Sequence, residues 1–113
     1  MTELTPAQVA AKRQAAEEFL LIDVREANEL QRANLGKGVI HMPLSELAAK
    51  RLDGIPSEVS ADKDAEIVVM CHHGSRSAQV VGFLTANGWT NVINMKGGIH
   101  MWAVTVDSKV GTY

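Results

Sequence analysis

Short apolar runs recur at residues 20–24, 39–42, 66–70 and 92–95, and a segment of different spacing follows each of them. In Leu20-Leu21-Ile22-Asp23-Val24 the apolar residues occupy both parities, the pattern of a strand covered on both faces. Ile67-Val68-Val69-Met70 and Val92-Ile93-Asn94-Met95 share this character, and Val39-Ile40-His41-Met42 is a shorter candidate closed by Pro43. Thr5-Pro6-Ala7-Gln8 reads as a helix start, with Thr5 as cap, Pro6 at the first helical position and Gln8 completing a capping box. That helix is predicted to run to about Glu18, with Val9, Ala16 and Phe19 on one side and the Lys12 stem lying along it.

Helices are further predicted over 25–33, 45–52, from the segment after Cys71 to Asn87-Gly88, and over 99–103. Gly82 inside the third of these costs about 1 kcal/mol relative to Ala, and close helix–sheet contact is its expected compensation. Gly36-Lys37-Gly38 and Asp53-Gly54-Ile55-Pro56 read as breaks, residues 57–64 as irregular, and residues 105–113 show no period. Strands alternating with helices predict an α/β domain with a mainly parallel sheet, in which ligands bind beyond the carboxyl ends of the strands. At 113 residues, a single domain over 1–113 is expected.

Composition narrows the function classes. The net charge is −2 and Lys and Arg form no cluster longer than a pair, which disfavours nucleic acid as a partner. No apolar run is long enough for a bilayer, and residues 1–4 lack a basic region leading into an apolar core, so no membrane partner and a soluble, cytoplasmic location are expected. The single cysteine precludes an intrachain disulfide and fits a reducing compartment.

That cysteine carries the chemistry. Cys71-His72-His73-Gly74-Ser75-Arg76-Ser77 follows the most apolar strand and precedes a helix, a junction where backbone N–H groups converge on an anion. Lowering a thiol from its reference pKa near 8.5 to about 7 takes roughly 2 kcal/mol, which a helix N-terminus and one cation can supply. Gly74 lets the loop adopt conformations closed to other residues, Arg76 brings a cationic fork suited to oxyanions, and Ser75 and Ser77 offer hydroxyls and a helix cap. His72 and His73 can add charge or proton transfer, although adjacent side chains of an extended loop cannot both face the sulfur. Four residues separate Cys71 from Arg76. Tyrosine phosphatases and arsenate-handling sites use a loop one residue longer, around a full oxyanion; the shorter loop suits the outer sulfur of thiosulfate or a persulfide.

With these residues in place, the chain resembles the single-domain rhodaneses, or thiosulfate sulfurtransferases. The resemblance rests on Leu21-Ile22-Asp23-Val24-Arg25-Glu26, on Gly38-Val39-Ile40-His41-Met42-Pro43-Leu44, on residues 67–77 with the pattern Cys-x-x-Gly-x-Arg-Ser, and on Asn91-Val92 followed by Gly97-Gly98-Ile99 and Trp102. It implies a rhodanese-like fold, a five-stranded parallel sheet with helices on both faces. It also implies a mechanism in which Cys71 becomes a persulfide on taking sulfane sulfur from a small anionic donor such as thiosulfate. A thiophilic acceptor (cyanide, a thiol or a protein) then removes that sulfur. The backbone of residues 72–77 would hold the persulfide and Arg76 the donor's anionic end; no cofactor is implied. The chain departs from the family at Asn34-Leu35-Gly36-Lys37, where members often carry Gly-His-Ile-Pro. A phosphatase or arsenate reductase, and a protein-partnered sulfur-relay or binding module, are the alternatives.

Asp23 and Arg25, at the end of a central strand, are expected to form a structural ion pair that supports the site. His41 and His100 look isolated. A metal site from Cys71, His72 and His73 is not expected, because consecutive side chains do not converge on one ion. Gly97-Gly98 reads as a turn placing the last helix near the loop, Trp89 and Trp102 as core or pocket walls, and the five Met residues as packing.

Overall fold

The computed structural model describes residues 1–113. Its strands are β1 (Glu3–Leu4), β2 (Leu20–Asp23), β3 (Val39–His41), β4 (Ile67–Met70) and β5 (Val92–Met95). Its helices are α1 (Pro6–Gln14), α2 (Ala27–Leu30), α3 (Leu44–Lys50), α4 (Ser57–Ser60), α5 (Ser75–Ala86) and α6 (Gly98–Thr105), with 3₁₀ turns at Arg51–Gly54 and Ser108–Val110. The strands form one sheet in the order β1-β5-β4-β2-β3, and every pairing is parallel.

Alternate residues of each strand feed opposite sides of the sheet. Ile22, Val24, Ile67, Val69, Cys71 and Val92 pack with Leu47, Val59, Val80, Val81, Leu84 and Trp89, from α3, α4, α5 and the turn that follows. Leu21, Val68, Met70, Ile93 and Met95 pack with Val9, Ile99 and Trp102, from α1 and α6. The sheet is therefore covered on both faces, which is why its strands read as unbroken apolar runs rather than alternating ones. Both tryptophans are buried, and the Trp89 indole N–H donates to the Val59 carbonyl at 3.1 Å.

Chain order reverses across the middle of the sheet: β2 leads outward to β3, whereas β4 leads the other way to β5. The carboxyl ends of β2 and β4 thus flank the switch point at which α/β sheets open a crevice. Asp23 is in register with Met70, so the residues following each lie side by side in that crevice.

Several local expectations are corrected. The short edge strand β1 is too brief to leave a sequence pattern. The Thr5 capping box forms as expected, but α1 stops at Gln14, where Ala16 adopts φ 53°, so Ala16 is exposed and no stripe extends to Phe19. Lys12 is held by Glu17 and Glu66. The helix expected over 25–33 is one turn, α2: the Arg25 amide turns back to Asp23, and the Arg25 side chain takes the Ala33 carbonyl and shares that of Glu29 with the amides of Arg32 and Ala33. Residues 57–64, expected irregular, begin with α4, which Val59 anchors in the core.

Gly82 is corrected as well: it is exposed, and a Cβ there would meet nothing within 4 Å. No close contact compensates the glycine. Gly82→Ala is therefore expected to stabilise the protein by about 0.5–1 kcal/mol through lost unfolded-state entropy and better helix propensity, read by urea unfolding. Destabilisation would mean that α5 needs the glycine.

Candidate active site

Cys71 leaves β4 at the switch point with only 1% of its surface exposed. The loop folds back over it, and the Gly74 amide donates to Sγ at 3.0 Å. That inward turn requires Gly74 at φ 107°, where it also serves as the N-cap of α5. The cap is thus a glycine rather than Ser75, which is exposed at the first position of the helix. The sulfur sits where the unpaired amides and the dipole of a twelve-residue helix favour negative charge.

The loop has a rigid backing. The amides of Ile99 and His100, in the first turn of α6, donate to the carbonyls of Cys71 and His72 at 2.9 and 3.0 Å. Approach this close requires Gly98: at φ 62°, a Cβ there would lie 2.4 Å from both carbonyl oxygens. The reading of Gly97-Gly98 as the turn that brings the last helix to the loop therefore holds.

Ser77 governs the other side of the sulfur. Its Oγ lies 3.3 Å from Cys71 Sγ, 2.6 Å from Asn94 Oδ1 and 3.2 Å from the Gly74 carbonyl. Asn94 Nδ2 donates to Glu3 and to the same Gly74 carbonyl; a reversed amide would aim its oxygen at two acceptors. Ser77 has one proton and two oxygen acceptors beside the sulfur, and either Cys71 or Ser77 can donate in the sulfur–oxygen contact. An ionised Cys71 can receive the Ser77 proton, gaining a second hydrogen bond beside that of Gly74. Asn94, a buried polar residue in a strand otherwise apolar, is the signal in the sequence for this role.

Arg76 points its fork at Glu29, with Nη1 and Nη2 bonded to the two carboxylate oxygens at 2.7 and 2.8 Å. This uses two of its five N–H groups and leaves three free. The Arg76 hydrogen bonds hold the Glu29 carboxyl down to about 2 against burial, and Glu29 holds the Arg76 guanidinium well above its ordinary value. Tyr113 Oη also donates to Glu29, at 3.0 Å. Neither Glu29 nor Tyr113 was marked by the sequence.

Asp23 and Arg25 form a fully buried ion pair behind the loop, 1% and 0% exposed. Arg25 Nε and Nη2 bond the Asp23 carboxylate, Nη2 also reaches the Ala33 carbonyl, and Nη1 bonds Tyr113 Oη and the Glu29 carbonyl. Every donor is engaged inside the protein, so the pair positions neighbouring groups. His41 accompanies it, its Nε2 2.7 Å from the Arg25 carbonyl.

The histidines are grouped differently from expectation. His100 is not isolated: its ring centroid lies 5.0 Å from that of His73 and 6.2 Å from that of His72. The His72 ring stacks on Tyr113 at 3.8 Å and lies 3.9 Å from His73. Burial, and then the charge of His73, push the His72 imidazole below its ordinary value.

A family model described as a rhodanese-like domain matches residues 5–105. This chain belongs to that family. It is 32% identical over 108 residues to a protein named thiosulfate sulfurtransferase GlpE from Pseudomonas savastanoi pv. phaseolicola, covering 93% of this chain and 92% of the relative. It is 38% identical over 97 residues to the rhodanese-like/PpiC domain-containing protein 12, chloroplastic, of Arabidopsis thaliana, which takes in 86% of this chain but only 31% of that protein. The crystal structure of a rhodanese-related protein from Thermoplasma volcanium superposes with a TM-score of 0.74 at 28% identity, covering 94% of each chain. These likenesses carry the rhodanese-like sheet and a kinship with proteins named sulfurtransferases.

The depressed Glu29 gives a pH signature. A carboxylate whose folded value lies below its ordinary 4.5 adds stability above about pH 4.5 and loses it as pH falls toward 2. Glu29→Gln should be less stable than the parent by about 1–3 kcal/mol at pH 6, and the difference should shrink towards zero near pH 2. Urea unfolding across that range checks it, and a difference independent of pH would contradict the Glu29–Arg76 linkage.

Proposed function

We propose that this protein transfers sulfane sulfur through a persulfide on Cys71. The observation that carries the reading is the Gly74 amide donating to Sγ at 3.0 Å, within a loop that places only four residues between Cys71 and Arg76. A loop this short suits one sulfur atom rather than a tetrahedral oxyanion.

The Cys71 thiolate attacks the outer sulfur of the donor, a sulfur–sulfur bond forms, and the donor's own sulfur–sulfur bond breaks. With thiosulfate, sulfite departs with the bonding electron pair. The terminal sulfur now on Cys71 lies where the amides of residues 72–77 and the N-terminus of α5 favour its charge. The free N–H groups of Arg76 orient the anionic end of the donor. Cyanide or a thiolate then attacks the terminal sulfur, forming thiocyanate or a new persulfide and returning Cys71 as the thiolate. Ser77, itself held by Asn94, contacts the sulfur, and Glu29, Tyr113 and the Asp23–Arg25 pair hold the Arg76 side of the loop. No cofactor takes part in these steps. The relative named thiosulfate sulfurtransferase supports thiosulfate as one donor.

A donor panel tests the proposal: thiosulfate, a low-molecular-weight persulfide and an aryl phosphate, each with the parent and Cys71→Ser. Sulfur transfer to cyanide with ping-pong kinetics is expected from the first two donors, with at least a thousandfold loss, on the order expected for a missing nucleophile, in Cys71→Ser. Arg76→Ala should lower kcat/KM for thiosulfate by roughly ten- to a hundredfold, the loss of a charge-assisted contact. Hydrolysis of the aryl phosphate at a comparable rate, or sulfur transfer by Cys71→Ser, would overturn the proposal.

A further inference from the structure

We infer that His72, His73 and His100 form a binding site for one divalent transition-metal ion of the zinc class, beside the active loop. Each residue offers a ring nitrogen, and the three nitrogens lie within 4.8 Å of one another. Tetrahedral zinc with nitrogen ligands at 2.0–2.1 Å sets them about 3.4 Å apart, so about 1.4 Å of closure completes the site. His73 is exposed and free to turn.

A second, independent observation is that His72 Nε2 and His100 Nδ1 are buried and bond to nothing else in the protein. Buried polar atoms without a partner are uncommon, because each forfeits its hydration. A metal ion coordinated by these two nitrogens would satisfy both at once. The positions are also preorganised. The His100 amide donates to the His72 carbonyl at 3.0 Å, which ties the two elements together. The His72 ring stacks on Tyr113 at 3.8 Å with the two planes 5° apart. His72 and His73 are consecutive, so convergence requires the His73 ring to leave its stack on His72 and turn towards His100, which α6 holds beside the loop.

Lys96, which lines a cavity with His73, is exposed to solvent, where its charge is screened. Arg76, on the same side of the loop, is already paired with Glu29. Three neutral imidazoles and an open fourth position suit zinc, copper(II) or nickel(II) rather than magnesium or calcium. The thiol of Cys71 is not required in the ligand set, and the test keeps it out.

Isothermal titration of untagged Cys71→Ser with Zn²⁺ at pH 7.5 reads the site without competition from the thiol. One saturable site per chain is expected, unaffected by millimolar Mg²⁺. His73→Ala and His100→Ala, each added to Cys71→Ser, should weaken it at least about tenfold. His73 is exposed, so its replacement leaves the core intact and remains decisive even if His100→Ala disturbs α6. Absence of saturable Zn²⁺ binding, or failure of either replacement to weaken it, would overturn the assignment.

Discussion

The loop around Cys71 depends on a buried charge. Arg25 is wholly enclosed, and its ion pair with Asp23 is kept by satisfying every donor of the guanidinium. A pair of this kind adds little net stability, yet removing one partner costs about 3–5 kcal/mol, because the other charge is left buried and unpaired. Its value here is positional. Arg25 draws in the carbonyls of Glu29 and Ala33 and the hydroxyl of Tyr113, and so fixes α2 at a single turn. Glu29, on that turn, faces Arg76. The order of dependence runs from Asp23 through Arg25 and Glu29 to the cation of the loop.

A second constraint is backbone packing. The loop is clamped between two helix N-termini: α5, which begins as the loop ends, and α6, whose first amides bond the carbonyls of Cys71 and His72. One helix aims its positive end toward the sulfur and the other immobilises the chain that carries it. Both junctions turn on glycines at positive φ, Gly74 and Gly98. The strand order puts this arrangement at the crevice of the sheet, so fold and site share one origin: a parallel sheet covered on both faces with a reversal beside β4.

Much of this was legible in the residues. Apolar runs with both parities filled gave β2, β4 and β5, because burial on two faces removes alternation. The spacing of Cys71, Gly74, Arg76 and Ser77 gave the cradle, since a tight loop leaves little freedom in residue type. The pairing of Asp23 with Arg25 was legible because two opposite charges at the end of a buried strand have few alternatives to each other. The remainder depended on contacts distant in sequence. Glu29, Tyr113 and His100 meet the loop only after the chain folds, and each is an unremarkable polar residue in its own segment; Asn94 stands out as the polar residue of an apolar strand, but its partner Ser77 lies 17 residues away. α2 fell short of its pattern where the Arg25 amide turned back to Asp23 and its side chain took the Ala33 carbonyl.

The central claim is that Cys71 accepts and holds a single sulfur atom. Intact mass spectrometry of the protein after incubation with thiosulfate and removal of excess donor tests it most directly. The account predicts a gain of about 32 Da confined to Cys71, reversed by cyanide, with the Cys71→Ser chain unchanged. An unmodified mass, or an adduct that persists through cyanide or maps elsewhere, would contradict it.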